Sequence, residues 1–157
     1  MVRPFLEYSA VVWDPHLEKD KAVIENVQRR AARYATGNYS ERSTGCIERM
    51  LQELNWEKLE QRRKTLRLAF LHKINNNLVD ISIDNFTKRS DSRTRGSQRF
   101  QQIHIKNPVY FNSFFPRTLR EWNKLPPSLT SMESTDVFRD CLGGTTSTRL
   151  TPHHWWK

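Results

Sequence analysis

Apolar positions recur at helical spacing through the first half of the chain, vanish, and return as two short clusters. Over residues 3–13, Phe5, Tyr8 and Val12 repeat with Val11 beside them, which predicts a helix. Pro4 suits its first turn, where a missing N–H costs nothing. Asp14 precedes Pro15 and is driven out of helical geometry, so the helix stops there. Residues 17–35 predict a second helix, with Val23, Ile24, Val27, Ala31 and Tyr34 as its apolar stripe. Arg29, Arg30 and Arg33 project from a flank of it, and Gly37 is placed to end it. A third helix is expected over 44–54 on Ile47, Met50, Leu51 and Leu54, capped by Ser43 or Thr44. After a joint at Asn55–Trp56, a longer helix over 56–75 sets Trp56, Leu59, Leu66 and Phe70 on one face. Its second half is apolar nearly all round, which requires packing against more than one neighbour. The NNN at 75–77 terminates it.

Beyond residue 80 the pattern changes. DISIDNF allows a single turn of helix, and KRSDSRTRGSQRF has no helical period and reads as an exposed basic loop. IHI at 103–105 alternates like a short strand. YFNSFFPRTLREWNKLPP is the densest aromatic stretch, with Tyr110, Phe111, Phe114, Phe115 and Trp122. Pro116 is expected to begin a short helix there, and LPP at 125–127 to close it. A last helix over 135–142 presents Val137, Phe138, Cys141 and Leu142, with Ser134 or Thr135 as cap. The tail GGTTSTRLTPHHWWK lacks periodicity and reads as disordered. The fold class is therefore mainly α: a small bundle of about four to six helices with a basic loop and at most one short strand. The chain divides into a helical region (1–79), a basic linker (80–107), an aromatic-rich helical segment (108–142) and a tail (143–157).

Composition sharpens this picture. Only 36% of the chain is AVILMFWYC, and much of that is five Trp, eight Phe and four Tyr. Such rings bury about 150–250 Å² each, so small dense clusters are expected rather than one deep core. The net charge of +9 is unevenly placed. Residues 58–73 and 88–106 each hold six Lys/Arg against one acid, which leaves the rest of the chain slightly acidic. Concentrated basicity fits a polyanion partner; a set of solvated faces is the competing reading. Cys46 and Cys141 lie far apart, forming neither a disulfide framework nor a zinc pattern, so reduced thiols in cytoplasm or nucleus are expected. No run approaches the ~20 apolar residues of a membrane span.

Catalytic signatures are missing from the sequence. It holds no glycine-rich phosphate loop, no His-Glu-x-x-His and no Gly-x-Ser-x-Gly. Its carboxylates are scattered, His72 sits in an apolar helix end as a core histidine would, and the His153–His154 pair has no further ligands to make a metal site. No catalytic residue, metal or cofactor is expected.

Several blocks together resemble a known family. VRPFLEYSAVVWDPH is similar to the segment just past the polymerase core in reverse transcriptases of non-LTR (LINE-type, jockey-like) retrotransposons. IENVQRRAARYATGNY, MLQELNWEKLEQRRKTLRLAFLHKI, a basic SRTRG stretch, SFFPRTLREWNKLP and STDVFRDCL follow in the family's order, covering residues 1–142. Pro4, Tyr8, Trp13, Pro15, Trp56, Phe114, Phe115, Pro116, Trp122 and Pro126 are the motif positions, read as structural. The family's catalytic carboxylates lie upstream in a Tyr-x-Asp-Asp-type turn, and this sequence has no Asp-Asp pair. The resemblance thus implies the thumb-like and post-polymerase region of an RNA-directed DNA polymerase, without polymerase or endonuclease activity. Met1 then stands where an internal residue of a longer polymerase would stand, and the last fifteen residues depart from the pattern.

A thumb-type region implies sequence-tolerant contact with template–primer RNA/DNA through basic helix edges. The candidates are Arg29, Arg30 and Arg33; Arg62, Arg63, Lys64 and Arg67; and Arg89, Arg93, Arg95 and Arg99 in the basic loop. The aromatics at helical spacing are read as core rather than base-stacking. Two alternatives stay open: a helical structural or protein-interaction module, and a retroelement-derived reading frame without selected function. An N-terminal helix deprived of upstream support is expected to leave Phe5, Tyr8, Val11 and Val12 partly exposed, inviting association and marginal stability.

Overall fold

A computed structural model describes residues 6–89, 99–102 and 106–143. It is mainly helical, as expected. Among the described residues the helices are α1 (Ala10–Trp13), α2 (Glu18–Thr36), α3 (Cys46–Glu53), α4 (Leu59–Asn75), α5 (Pro108–Phe111), α6 (Phe114–Trp122), α7 (Pro127–Thr130) and α8 (Thr135–Leu142), with a 3₁₀ turn at Ile83–Asn85. No helix is long and apolar enough to cross a membrane. Pro4 and Phe5, residues 90–98 of the expected basic loop, the IHI segment and the residues from 144 onward lie outside the described residues.

The opening helix is not continuous. Ser9 takes a left-handed conformation (φ 50°) and breaks it, leaving α1 as a single turn. The cause is a competing hydrogen bond. The Trp13 indole N–H donates to the Tyr8 carbonyl at 2.6 Å, so Val12 N–H bonds Ser9 O instead. Trp13 itself stays half exposed rather than buried.

Helix α2 has the expected bounds but not the expected rotation. Val23 is 65% and Tyr34 78% exposed, whereas Gln28 and Ala32 are buried. The face turned inward is Lys21, Glu25, Gln28 and Ala32, spaced four, three and four apart. Its polar ends hold α2 to the start of α4. Lys21 Nζ lies 2.7 Å from Glu60 Oε1, Gln28 Nε2 donates to Glu57 O at 2.8 Å, and Glu60 N–H donates to Glu25 Oε1 at 3.0 Å. Glu25 thereby satisfies an orphan N–H at the N-terminus of α4, which has no side-chain cap of its own. Hydrophobic periodicity alone could not foresee that a polar seam sets this helix's orientation.

Helix ends follow local chemistry. Gly37 closes α2 at φ 66°. Gly45 at φ 80°, not Ser43 or Thr44, caps α3, with no side-chain bond. Two asparagines then end helices by the same device. Asn55 (φ 54°) and Asn77 (φ 53°) turn left-handed. Trp56 N–H reaches back to Leu51 O at 2.7 Å and Leu78 N–H to Lys73 O at 2.9 Å, the Schellman pattern. Helix α4 consequently starts at Leu59, and Trp56 belongs to the joint. Two single-turn helices, α5 and α7, were not expected. Asn107 caps α5 by accepting from Val109 N–H at 2.9 Å, and Pro127 opens α7 after α6 has already ended at Trp122, ahead of LPP. Helix α6 begins at Phe114, with Pro116 already inside its first turn.

The core gathers on α4, which packs against α1, α2, α6 and α8. Leu68, Leu71 and Ile74 meet Ile83, Phe100, Leu119, Trp122 and Phe138 in the larger cluster. A smaller one joins Ala32 of α2 to Cys46, Met50 and Leu51 of α3. His72 is fully buried between the ends of this arrangement. Nε2 lies 2.7 Å from Met132 O and Nδ1 3.0 Å from Thr135 Oγ1, and the ring stacks on Phe138 at 4.5 Å. It is a satisfied core histidine that ties α8 to α4.

Candidate nucleic-acid interface

The cations expected to contact nucleic acid separate into two groups. Arg29, Arg30, Lys64, Arg89 and Arg99 keep exposed or partly exposed side chains. Arg89 also donates to Asn75 Oδ1 at 3.0 Å. The others are taken up by the fold. Arg33 donates to Glu41 O at 2.7 Å and reaches Cys46 Sγ at 3.6 Å. Arg62 pairs with Glu7. Arg93 and Arg95 lie outside the described residues.

Arg63 and Arg67 need a correction. They are 0% and 2% exposed, and in this conformation neither can reach a phosphate. Both face Asp14 of the WDPH segment. Arg63 Nε donates to Asp14 Oδ1 at 2.7 Å, and Arg67 Nε lies 2.8 Å from Oδ2. Arg117 on α6 joins them, 3.2 Å from Asp14 Oδ2 and 3.1 Å from the Asp14 carbonyl. Glu121, one turn beyond Arg117, takes Arg67 Nη2 at 3.1 Å. Three guanidiniums thus share two carboxylates in a nearly dry site. Burial, with Arg67 close by, pushes the Arg117 pKa down, against the pull of Asp14, Glu121 and Glu60. Charge runs resemble surface patches in sequence; Asp14, whose Pro15 halts the helix beside α4, turned this one inward.

A different set of cations lines the surface. An open polar groove of about 770 Å³ runs between the turn after Trp13, the segment 99–102 and α6. Lys21, Arg99, Arg117, Arg120 and Lys124 contribute positive charge to its lining and Glu60 and Glu121 negative. His16 stands at its edge. The segment 99–102 is held by Asn123, whose amide accepts from Phe100 N–H at 2.9 Å and donates to Phe100 O at 2.8 Å. Phe100 also bridges Arg89, and its ring is buried against Trp122. Arg99, Gln101 and Gln102 are exposed and line the groove. Arg120 lies with its guanidinium 3.5 Å over the Phe111 ring and donates to Phe111 O at 3.3 Å.

Of this lining, sequence reading had singled out only Arg99. Arg117, Arg120 and Lys124 follow i, i+3, i+7 spacing in PRTLREWNK, a helical-face signal that was legible and was masked by the aromatics around it. Of the motif residues, Trp122 and Pro116 are buried and Trp56, Phe114 and Phe115 partly buried, whereas Trp13 is exposed. Phe114 and Phe115 meet edge to face at 5.0 Å, and Phe115 stacks on Phe86. Pro126 and Tyr8 are exposed, and Pro15 is partly buried with its carbonyl 3.4 Å from Arg117 Nη1. Among the described residues no cluster of three or more His, Cys, Asp or Glu is arranged to hold a metal ion.

Comparison with known proteins gives no relative: no family model, no curated protein and no solved structure matches this chain.

Proposed function

We propose that this chain is the non-catalytic, post-polymerase helical region of a retrotransposon-type reverse transcriptase, and that it contacts template–primer nucleic acid without sequence preference. One observation carries the reading. Arg99 and Lys124, on the groove, have no ion-pair partner among the described residues, while the carboxylates that share the lining are already paired with Lys21 and Arg67. A surface of uncompensated cations is the electrostatic footprint of phosphate binding. The block order adds support. Asp14 of WDPH, Arg63 and Arg67 of QRRKTLR, and Arg117 and Glu121 of PRTLREW come from three separate family-like blocks and meet in one ion network. Blocks that depend on one another physically are expected to occur together.

The test is a salt titration of binding to a primed RNA template. Binding with a steep negative dependence on salt is expected. A flat response, or no binding at about 50 mM salt, removes the reading.

A second reading, a helical interaction module, is favoured by a different observation. Tyr8, Val12, Val23 and Tyr34 are all more than half exposed. On that reading, reversing charge at Arg29 and Arg30 leaves association with other macromolecules intact, and replacing Val23 and Tyr34 with Ser abolishes it.

A further inference from the structure

We propose that the groove between the turn after Trp13 and α6 seats a single strand of nucleic acid, with Arg99, Arg120 and Lys124 on its phosphodiester backbone. This rests on the nucleic-acid reading above and assigns it a place. The charges are unequal in availability. Lys21 is spent on Glu18 and Glu60, both at 2.7 Å, and Arg117 on Asp14. Among the described residues Arg120 pairs with no carboxylate, and its guanidinium plane is already oriented over Phe111. A guanidinium held in place loses less freedom when it takes a phosphate. Arg99 and Lys124 are exposed and belong to the same lining.

The neutral part of the lining decides between a strand and a duplex. Gln101 and Gln102 present exposed amides, each carrying donors and an acceptor. Amides of this kind match the edges of unpaired bases and the 2′-hydroxyl, which a duplex keeps in its grooves. A concave site of about 770 Å³ admits one backbone with its bases, whereas a duplex would rest on the rim. The Asn123 clamp on Phe100 keeps the amide-bearing segment from collapsing into the groove.

The experiment is fluorescence anisotropy with a labelled single-stranded oligouridine, repeated across a range of salt. The chain is compared with the double variant Arg99→Gln/Lys124→Gln and with Arg120→Gln. Arg99 and Lys124 are exposed, so the double variant should keep its circular-dichroism spectrum. Losing two phosphate contacts lowers the slope of log K against log salt by about 1.4, and Arg120→Gln lowers it by about 0.7. An unlabelled hairpin duplex should compete more weakly than the unlabelled strand. If the parent chain binds but the double variant keeps its slope, the groove is wrong and the broader reading stands. If the parent chain does not bind at all, both fall. Equal competition by the duplex, or by polyglutamate, overturns the assignment to a single nucleic-acid strand.

Discussion

Asp14 and Arg63 are forty-nine residues apart in sequence and 2.7 Å apart in the fold, each almost wholly removed from water. Around that pair Arg67 and Arg117 complete a network that fixes the first turn of the chain to α4 and α6. Taking such charges out of water is costly, and their mutual attraction offsets the cost only while every partner is present. Arg63 leaves both Nη atoms buried without a hydrogen-bond partner, so it has no alternative anion to turn to among the described residues.

Replacing Asp14 should therefore be among the most damaging single changes. Asp14→Asn strands Arg63 in a dry site and leaves Arg67 only Glu121, and is expected to cost about 3–5 kcal/mol. Urea denaturation reads this directly. An unchanged midpoint would mean that water already reaches the cluster.

His72 makes a more local prediction. His72→Ala removes the ring stacked on Phe138 and leaves Met132 O without its partner. An orphaned buried carbonyl costs about 1–3 kcal/mol, with a cavity penalty added. Since the bonds run to the segment leading into α8, amide-exchange protection should fall in α8 before α3. Equal loss in both helices would argue against a local tie.

Asn77 is a case where a substitution should stabilise. It holds φ 53° at the end of α4, a conformation that costs an L-residue about 1–2 kcal/mol and glycine almost nothing. Asn77→Gly is expected to raise stability by up to about 1 kcal/mol and Asn77→Ala to lower it by a similar amount. Two thermal melts of opposite sign relative to the parent chain would bear this out; two of the same sign would not.

The Lys21–Glu60 pair sets the pH response of the α2–α4 seam. Hydrogen bonding from Lys21 holds the Glu60 pKa below its ordinary value, and bonding to Glu18 and Glu60 raises that of Lys21. A carboxyl depressed by folding contributes stability above its unfolded pKa and loses it as pH falls through the folded one. A raised lysine contributes below its unfolded pKa and loses it as pH climbs through the folded one. The seam should be whole near neutrality and weaken below about pH 4.5. In Glu60→Gln the acid-side loss of stability should shrink; a parent-like acid profile in that variant would place the effect elsewhere.

The buried arginines show how far sequence reading reached. Helix spans were legible because i, i+3, i+4 apolar spacing, Gly37 and the asparagines at 55 and 77 are local signals with local causes. Which face of α2 turns inward was not, because Lys21, Glu25 and Gln28 are held by Glu57 and Glu60 across the bundle. The same holds for Arg63 and Arg67. Flanked by Arg62 and Lys64 they read as part of a surface stripe, and only carboxylates delivered from residues 14 and 121 make their burial tolerable.

By itself, then, the sequence determined an α-helical chain, where its helices stop, and that its positive charge is concentrated. Those properties depend on backbone preference and composition, which act within a few residues. The tertiary structure alone decided which arginines are spent in the core and which remain for a partner. That choice depends on where Asp14, Glu7 and Glu121 arrive in space, and charges separated by fifty or a hundred residues carry no mark of one another until the helices between them pack.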